Sequence, residues 1–244
     1  MAALANQVAV ITGAGSGIGR AIAGILAVQG ATACLVGRTR KKLEETAASL
    51  TAPKAVVLPA DLSSDEQVDS LKKELERRFG HVDMLVMCAG EIAHGPVEST
   101  PVDVFDKLYR ANVHANYQLT QMLLPMLKKP PGQIVFVNSS AGLLARPGVG
   151  QFSATQHALR ALTDALRAEV NEYGIRVLSV YPGRVATPRM EAMYEKEGQE
   201  YKPELLLQAE DVASVILNAL TLPRTAEVTD ISIRPMLKSY VSST

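Results

Sequence analysis

Seven short runs of apolar, β-favouring residues recur along the chain, and they are continuous rather than alternating, as in Val8-Ala-Val-Ile and Ile134-Val-Phe-Val. Side chains along a strand point alternately to opposite faces, so a strand apolar at every position must be covered on both faces. The runs predict strands over Gln7–Thr12, Ala31–Val36, Lys54–Leu58, Val82–Met87, Gln133–Asn138, Ile175–Tyr181 and Val228–Arg234. Between them lie segments with helical spacing. Val68, Leu71, Leu75 and Phe79 follow Ser63-Ser-Asp-Glu66, which reads as a capping box. Thr155, Leu159, Leu162, Leu166 and Val170 form a second stripe. Repeated strand–helix units predict an α/β chain: a doubly wound, mostly parallel, seven-stranded sheet with helices on both faces. With no repeat, low-complexity tract or linker, residues 1–244 are expected to form a single domain.

The charges balance, Lys+Arg 25 against Asp+Glu 25, and no long basic run occurs, so neither nucleic acid nor an anionic membrane is the expected partner. No apolar stretch approaches the roughly 18 residues of a membrane span. The start, Met1-Ala-Ala-Leu-Ala-Asn-Gln, lacks the basic and apolar regions of a signal peptide, and the expected location is cytoplasmic. Cys34 and Cys88 fall on strands expected to flank the first one. Two strand spacings, about 9.6 Å, exceed the roughly 7 Å limit for bridged Cα atoms, so no disulfide is expected.

Thr12-Gly13-Ala14-Gly15-Ser16-Gly17-Ile18-Gly19 links the first strand to the first helix. Glycines there let the backbone turn tightly and approach a pyrophosphate at a helix N-terminus, where free N–H groups and the dipole favour anions. Ile18 spoils the G-x-G-x-x-G spacing. The T-G-x-x-x-G-x-G pattern at Thr12, Gly13, Gly17 and Gly19 instead resembles the short-chain dehydrogenase/reductase family, of classical type, with its single-domain Rossmann fold. The likeness runs from about Gln7 to Pro235. The second strand ends at Gly37-Arg38, where NAD-binding relatives carry an acid for the ribose 2′-hydroxyl. A guanidinium beside a small residue suits a 2′-phosphate, so NADP(H) is expected rather than NAD(H). By the same resemblance Asp61 and Leu62 contact adenine, Ala89 and Gly90 line the dinucleotide, and Pro182, Gly183, Val185 and Thr187 grip the nicotinamide carboxamide.

The resemblance also implies four catalytic positions, and two are altered. Ser139 matches the family's Ser, and Asn112 its water-holding Asn. Phe152 stands thirteen residues past Ser139, in place of the proton-transferring Tyr, and Gln156 four beyond replaces the Lys that lowers the tyrosine pKa. Met87-Cys88-Ala89-Gly90 stands where the family has Asn-Asn-Ala-Gly, and Glu91 follows, expected near the nicotinamide. His94, in a loop bordering the family's substrate pocket, is the candidate substitute acid; Tyr181, Tyr194 and Tyr201 are weaker ones. Pro188–Glu204 is polar and bracketed by prolines, an irregular segment that reads as either a solvated excursion or a mobile lid; its place after the sixth strand, where the family it resembles carries its substrate loop, implies a substrate lid over about 188–205. No metal site is expected.

Two readings follow. One is an NADP(H)-binding, pseudoenzyme-like protein whose carbonyl or alcohol oxidoreductase activity is weak or absent. The other is a working NADPH-dependent oxidoreductase with a substitute proton donor such as His94. A third, with Glu91 or Cys88 as nucleophile or base, rests only on their location. The expected partners are a nicotinamide dinucleotide and an unidentified small molecule. The family's association through helices matching Pro101–Lys128 and Gly150–Tyr173 implies a homodimer or homotetramer.

Overall fold

The structure, a computed structural model, describes residues 2–50 and 55–237. It contains β1 (Val8–Thr12), α1 (Gly17–Val28), β2 (Thr32–Gly37), α2 (Arg40–Ser49), β3 (Ala55–Pro59), α3 (Asp65–Arg78), β4 (Met84–Met87), α4 (Val102–Tyr109), α5 (Ala115–Leu127), β5 (Gln133–Val137), α6 (Gly150–Val170), β6 (Arg176–Pro182), α7 (Pro188–Lys196), α8 (Ala209–Leu220) and β7 (Asp230–Ile233). The strands make one sheet, ordered β3-β2-β1-β4-β5-β6-β7, parallel at every pairing. The expected strands stand within one or two residues of these limits; Lys54, the expected start of the third, lies outside the described residues.

Alternation along each strand feeds two separate cores. Ala9 and Ile11 of β1 pack with Ile22 and Leu26 of α1 and Val212 and Ile216 of α8. Val8 and Val10 face the other way, with Leu71 and Leu75 of α3, Leu119 and Leu123 of α5 and Leu159 of α6. β1 and β4 are buried throughout, as continuous apolar runs require. β7, an edge strand, alternates between exposed and half-buried positions.

Three local details differ from expectation. The capping box at Ser63–Glu66 is displaced by one residue: Ser64 caps α3 and accepts from the Gln67 N–H, while the Gln67 amide turns back to accept from the Asp61 N–H. A reciprocal box exists instead at α8, where Gln208 and Asp211 satisfy each other's backbone. The segment 188–204 after β6 is helical over Pro188–Lys196 and irregular only from 197 to 202. Thr187 caps it through the Met190 N–H, and Pro188 opens α7 at a position where its missing N–H costs nothing.

Candidate active site and nucleotide cradle

The turn after β1 is shaped by backbone crowding. At Gly13, where φ is +66°, an added Cβ would stand 3.0 Å from the Ala89 N and the Cys88 carbonyl carbon; at Gly19 it would stand 2.4 Å from the Gly13 carbonyl oxygen. Both are contacts with main chain, which cannot swing aside. The Thr12 hydroxyl accepts from the Cys88 and Ala89 N–H groups at 3.0 and 3.1 Å, fastening the end of β4 to the turn. The end of β4 is thus braced by Thr12, with Met87 and Cys88 standing where the family has asparagines. From the outer side Arg20 donates to the Gly15 carbonyl at 2.8 Å and to the Thr46 hydroxyl at 3.0 Å, and Thr46 donates to the Ala14 carbonyl. Neither Arg20 nor Thr46 stood out in the sequence, since both act from helical positions with no motif of their own.

α1 begins with Ser16 extended at its N-cap, making no side-chain cap bond, and with no acid in its first turn. Its first N–H groups and positive dipole end are therefore available to an anion. Thr187 faces this turn, its Cγ2 lying 3.0 Å from where a Gly17 Cβ would be. Val185, buried, bridges to Leu207, and Gly183 donates to the Ile233 carbonyl at 2.8 Å just beyond Pro182. Residues 12–19, 88–90 and 182–187 thus meet at one edge of the sheet.

At the far end of this edge Arg38 directly follows β2, and its Nη2 pairs with Glu91 Oε1 at 3.0 Å. The Glu91 side chain therefore reaches back to the residue that follows β2. The Asp61 carboxylate accepts from the Ser63 hydroxyl at 2.7 Å and N–H at 2.9 Å. Those bonds lower its pKa, with a smaller Coulombic pull from Arg38. Leu62 is buried in the core facing α3. Arg189, on the first turn of α7, keeps much of its surface open yet has enough protein around it that desolvation lowers its pKa. Glu91 opposes that shift and Arg38 adds to it.

The candidate catalytic positions are gathered by α6 and by a wide turn of helix. Arg110–His114, between α4 and α5, forms a π-helical turn, a local widening often found at functional sites. It presents the buried Asn112, whose amide accepts from the Glu91 N–H at 2.7 Å and donates to the Glu91 carbonyl at 2.9 Å and the Thr155 hydroxyl at 3.1 Å. Thr155 in turn donates to the Phe152 carbonyl at 2.7 Å, and the Gln156 amide reaches the Thr155 hydroxyl at 3.5 Å. Phe152 and Gln156 are both buried. Asn138 connects the far wall, donating to the Gln156 carbonyl at 3.1 Å and accepting from the Ser139 N–H at 2.7 Å. The Ser139 hydroxyl accepts from the Ala141 N–H at 3.2 Å. Asn112, Phe152 and Gln156 thus share one bonded network, which Asn138 extends to Ser139. Its other groups are amides, a second hydroxyl and backbone. Thr155 is the member the sequence had placed only in an apolar stripe.

The remaining candidates lie elsewhere. His94 Nδ1 meets Glu197 Oε1 at 2.7 Å, joining the loop after β4 to the end of α7. Tyr194 is buried, its hydroxyl accepting from Arg184 at 2.7 Å and its ring meeting Tyr201 edge-on at 5.7 Å. Tyr181 is buried, with desolvation raising its pKa. Both cysteines are free. Burial pushes the Cys34 thiol up to about 12 and raises the Cys88 thiol as well, which opposes formation of the nucleophilic thiolate at neutral pH. Among the described residues no group of three or more His, Cys, Asp or Glu side chains could hold a metal ion, and no helix is long and apolar enough to cross a membrane.

Comparison with known proteins agrees with this architecture. The short chain dehydrogenase family model matches residues 7–198. An uncharacterized oxidoreductase of Staphylococcus aureus is 33% identical over 237 residues, covering 97% of this chain and 100% of its own; one from Staphylococcus epidermidis is 34% identical over the same coverage. An alcohol dehydrogenase from the archaeon Thermococcus sibiricus, complexed with 5-hydroxy-NADP, superimposes with a TM-score of 0.85 at 28% identity, covering 96% of this chain and 98% of that one. Actinorhodin polyketide ketoreductase with NADPH gives 0.87 at 26% identity with the same coverage. By sequence and by fold alike, this chain belongs to the short-chain dehydrogenase family of oxidoreductases.

Proposed function

We propose that the chain binds NADP(H) and carries out the family's carbonyl or alcohol oxidoreduction weakly or not at all. The binding half rests on the fit of the cradle: α1 has no side chain capping its first N–H groups, the turn has no Cβ at its closest backbone approach, and Gly37-Arg38 puts a cation, not an acid, at the end of β2. The NADP-type ligands of the alcohol dehydrogenase and ketoreductase point the same way. Gly13 to Gly19 would hold the pyrophosphate, Arg38 the 2′-phosphate, and Pro182 to Thr187 the nicotinamide end. When bound, the nicotinamide supplies or takes up a hydride.

The catalytic half rests on one observation. Buried Phe152 and Gln156 occupy the positions of proton donor and activating cation, and the network linking them to Asn112 consists of amides, hydroxyls and backbone. Ser139 and Asn112 could orient a carbonyl or hold a water but move no proton at neutral pH. General acid–base catalysis typically contributes about 10²- to 10⁴-fold. Without it, positioning by the cleft leaves slow chemistry.

A second reading uses His94 as the acid. It is favoured by the Glu197 carboxylate at 2.7 Å, which would orient the imidazole and carry the α7 lid with it. NADPH consumption over a panel of simple ketones and quinones decides between them: little or no turnover supports the first reading. Robust turnover lost in His94→Ala supports the second. Turnover that persists in His94→Ala refutes both.

Val102, Phe105, Tyr109 and Tyr117 are exposed along α4 and α5, a surface suited to a homodimer or homotetramer. Sedimentation as a monomer at micromolar concentration would contradict that assembly.

A further inference from the structure

Glu91 is held at both ends, by its backbone and by its carboxylate. Asn112 bonds both its N–H and its carbonyl, which fixes the point from which the side chain departs. The carboxylate then reaches back to Arg38 at 3.0 Å. β1 lies between β2 and β4 in the sheet, so the pair runs over the end of β1, across the mouth of the glycine turn. A dinucleotide with its pyrophosphate on α1 and its 2′-phosphate on Arg38 would have to enter there.

We infer that Glu91 is an internal competitor for the Arg38 guanidinium, occupying the seat of the 2′-phosphate and lowering the chain's discrimination between phosphorylated and unphosphorylated dinucleotides. This rests on the proposed NADP(H) binding and deepens it. A carboxylate and a phosphate are alternative acceptors for the same planar fork of donors, and two anions cannot both be satisfied by one guanidinium without mutual repulsion. The competition is a modest one. The pair's side chains are 67% and 46% exposed, and exposed ion pairs contribute at most about a fivefold effect on an equilibrium.

Calorimetry with 2′,5′-ADP, 5′-AMP, NADPH and NADH tests this without relying on turnover. In Glu91→Gln, 2′,5′-ADP and NADPH should bind about three- to fivefold more tightly, while 5′-AMP and NADH stay unchanged. In an Arg38→Gln background the same Glu91→Gln change should give no gain. Uniform tightening of all four ligands overturns the inference, as does unchanged NADPH affinity or a gain that persists without Arg38. Binding of NADPH by Glu91→Gln where the wild type shows none would support it. No NADPH binding by any of these proteins would remove the cofactor reading itself, and the inference with it.

Discussion

The turn after β1 and the face of α6 beneath Ser139 lie at the same edge of the sheet, yet they match the family's pattern very differently. In the turn, Thr12, Gly13, Gly17 and Gly19 are all present, and the structure gives each a mechanical task. The Thr12 hydroxyl fastens β4, and the glycines stand where a Cβ would meet backbone or Thr187. On α6 the two departures from the pattern leave the local structure standing. Phe152 and Gln156 fill buried space and leave the helix, its Thr155 bond and its contact with Asn138 in place. Asn112 and Ser139, which do match, also hold backbone: one pins Glu91, the other accepts from Ala141. A residue that agrees with the pattern here does so where folding alone would demand it. Asn112 and Ser139 are therefore explained by the backbone they hold, and the glycines of the turn by the atoms a Cβ would meet.

The largest expected effect tests this mechanical account. Gly19→Ala places a methyl 2.4 Å from the Gly13 carbonyl, so α1 must move away from the turn. Overpacking against backbone should cost about 3 kcal/mol, read as a lower urea midpoint at unchanged slope. A loss under about 0.5 kcal/mol would break the comparison, because the glycine pattern would then need a ligand to explain it. The next effect tests the chemical side. Phe152→Tyr with Gln156→Lys should raise ketone reduction by about tenfold to a hundredfold, short of the full acid–base contribution. Neither single change should do as well: a tyrosine alone keeps a pKa near 10, and a lysine alone has no phenol to activate. No gain in a folded double variant would place the missing function elsewhere than the proton step. The smallest effect is the control. Gly24→Ala, on the same helix but with nothing within 4 Å of its added Cβ, should stabilise by about 0.5 to 1 kcal/mol through helix propensity.

Much of this molecule was legible one segment at a time. Continuous apolar runs located the strands because burial on both faces leaves no room for alternation. The strand–turn–helix at Thr12–Gly19 marked a cradle because positive φ and close backbone approach demand glycine. Cap positions were less secure. At α3 both Ser63 and Ser64 could serve, and the bond chosen depended on where Asp61 and Gln67 lay. The α7 helix was missed because its polar surface carries little hydrophobic period; Thr187 and Pro188 were the local signal that could have found it.

The sequence by itself determined the layered α/β architecture, the glycine turn after β1 and the absence of a phenol at position 152 and of an ammonium at position 156. All of these follow from residue type at short range. Only the tertiary structure decided which side chains face one another. It set Glu91 against Arg38, joined His94 to Glu197 at a separation of 103 residues, and brought Thr155 to Asn112. Such pairings depend on which strands lie side by side and on where each chain crosses the sheet. Hydrophobic period reports only which face of an element is buried, and it is the same whatever the order of the strands.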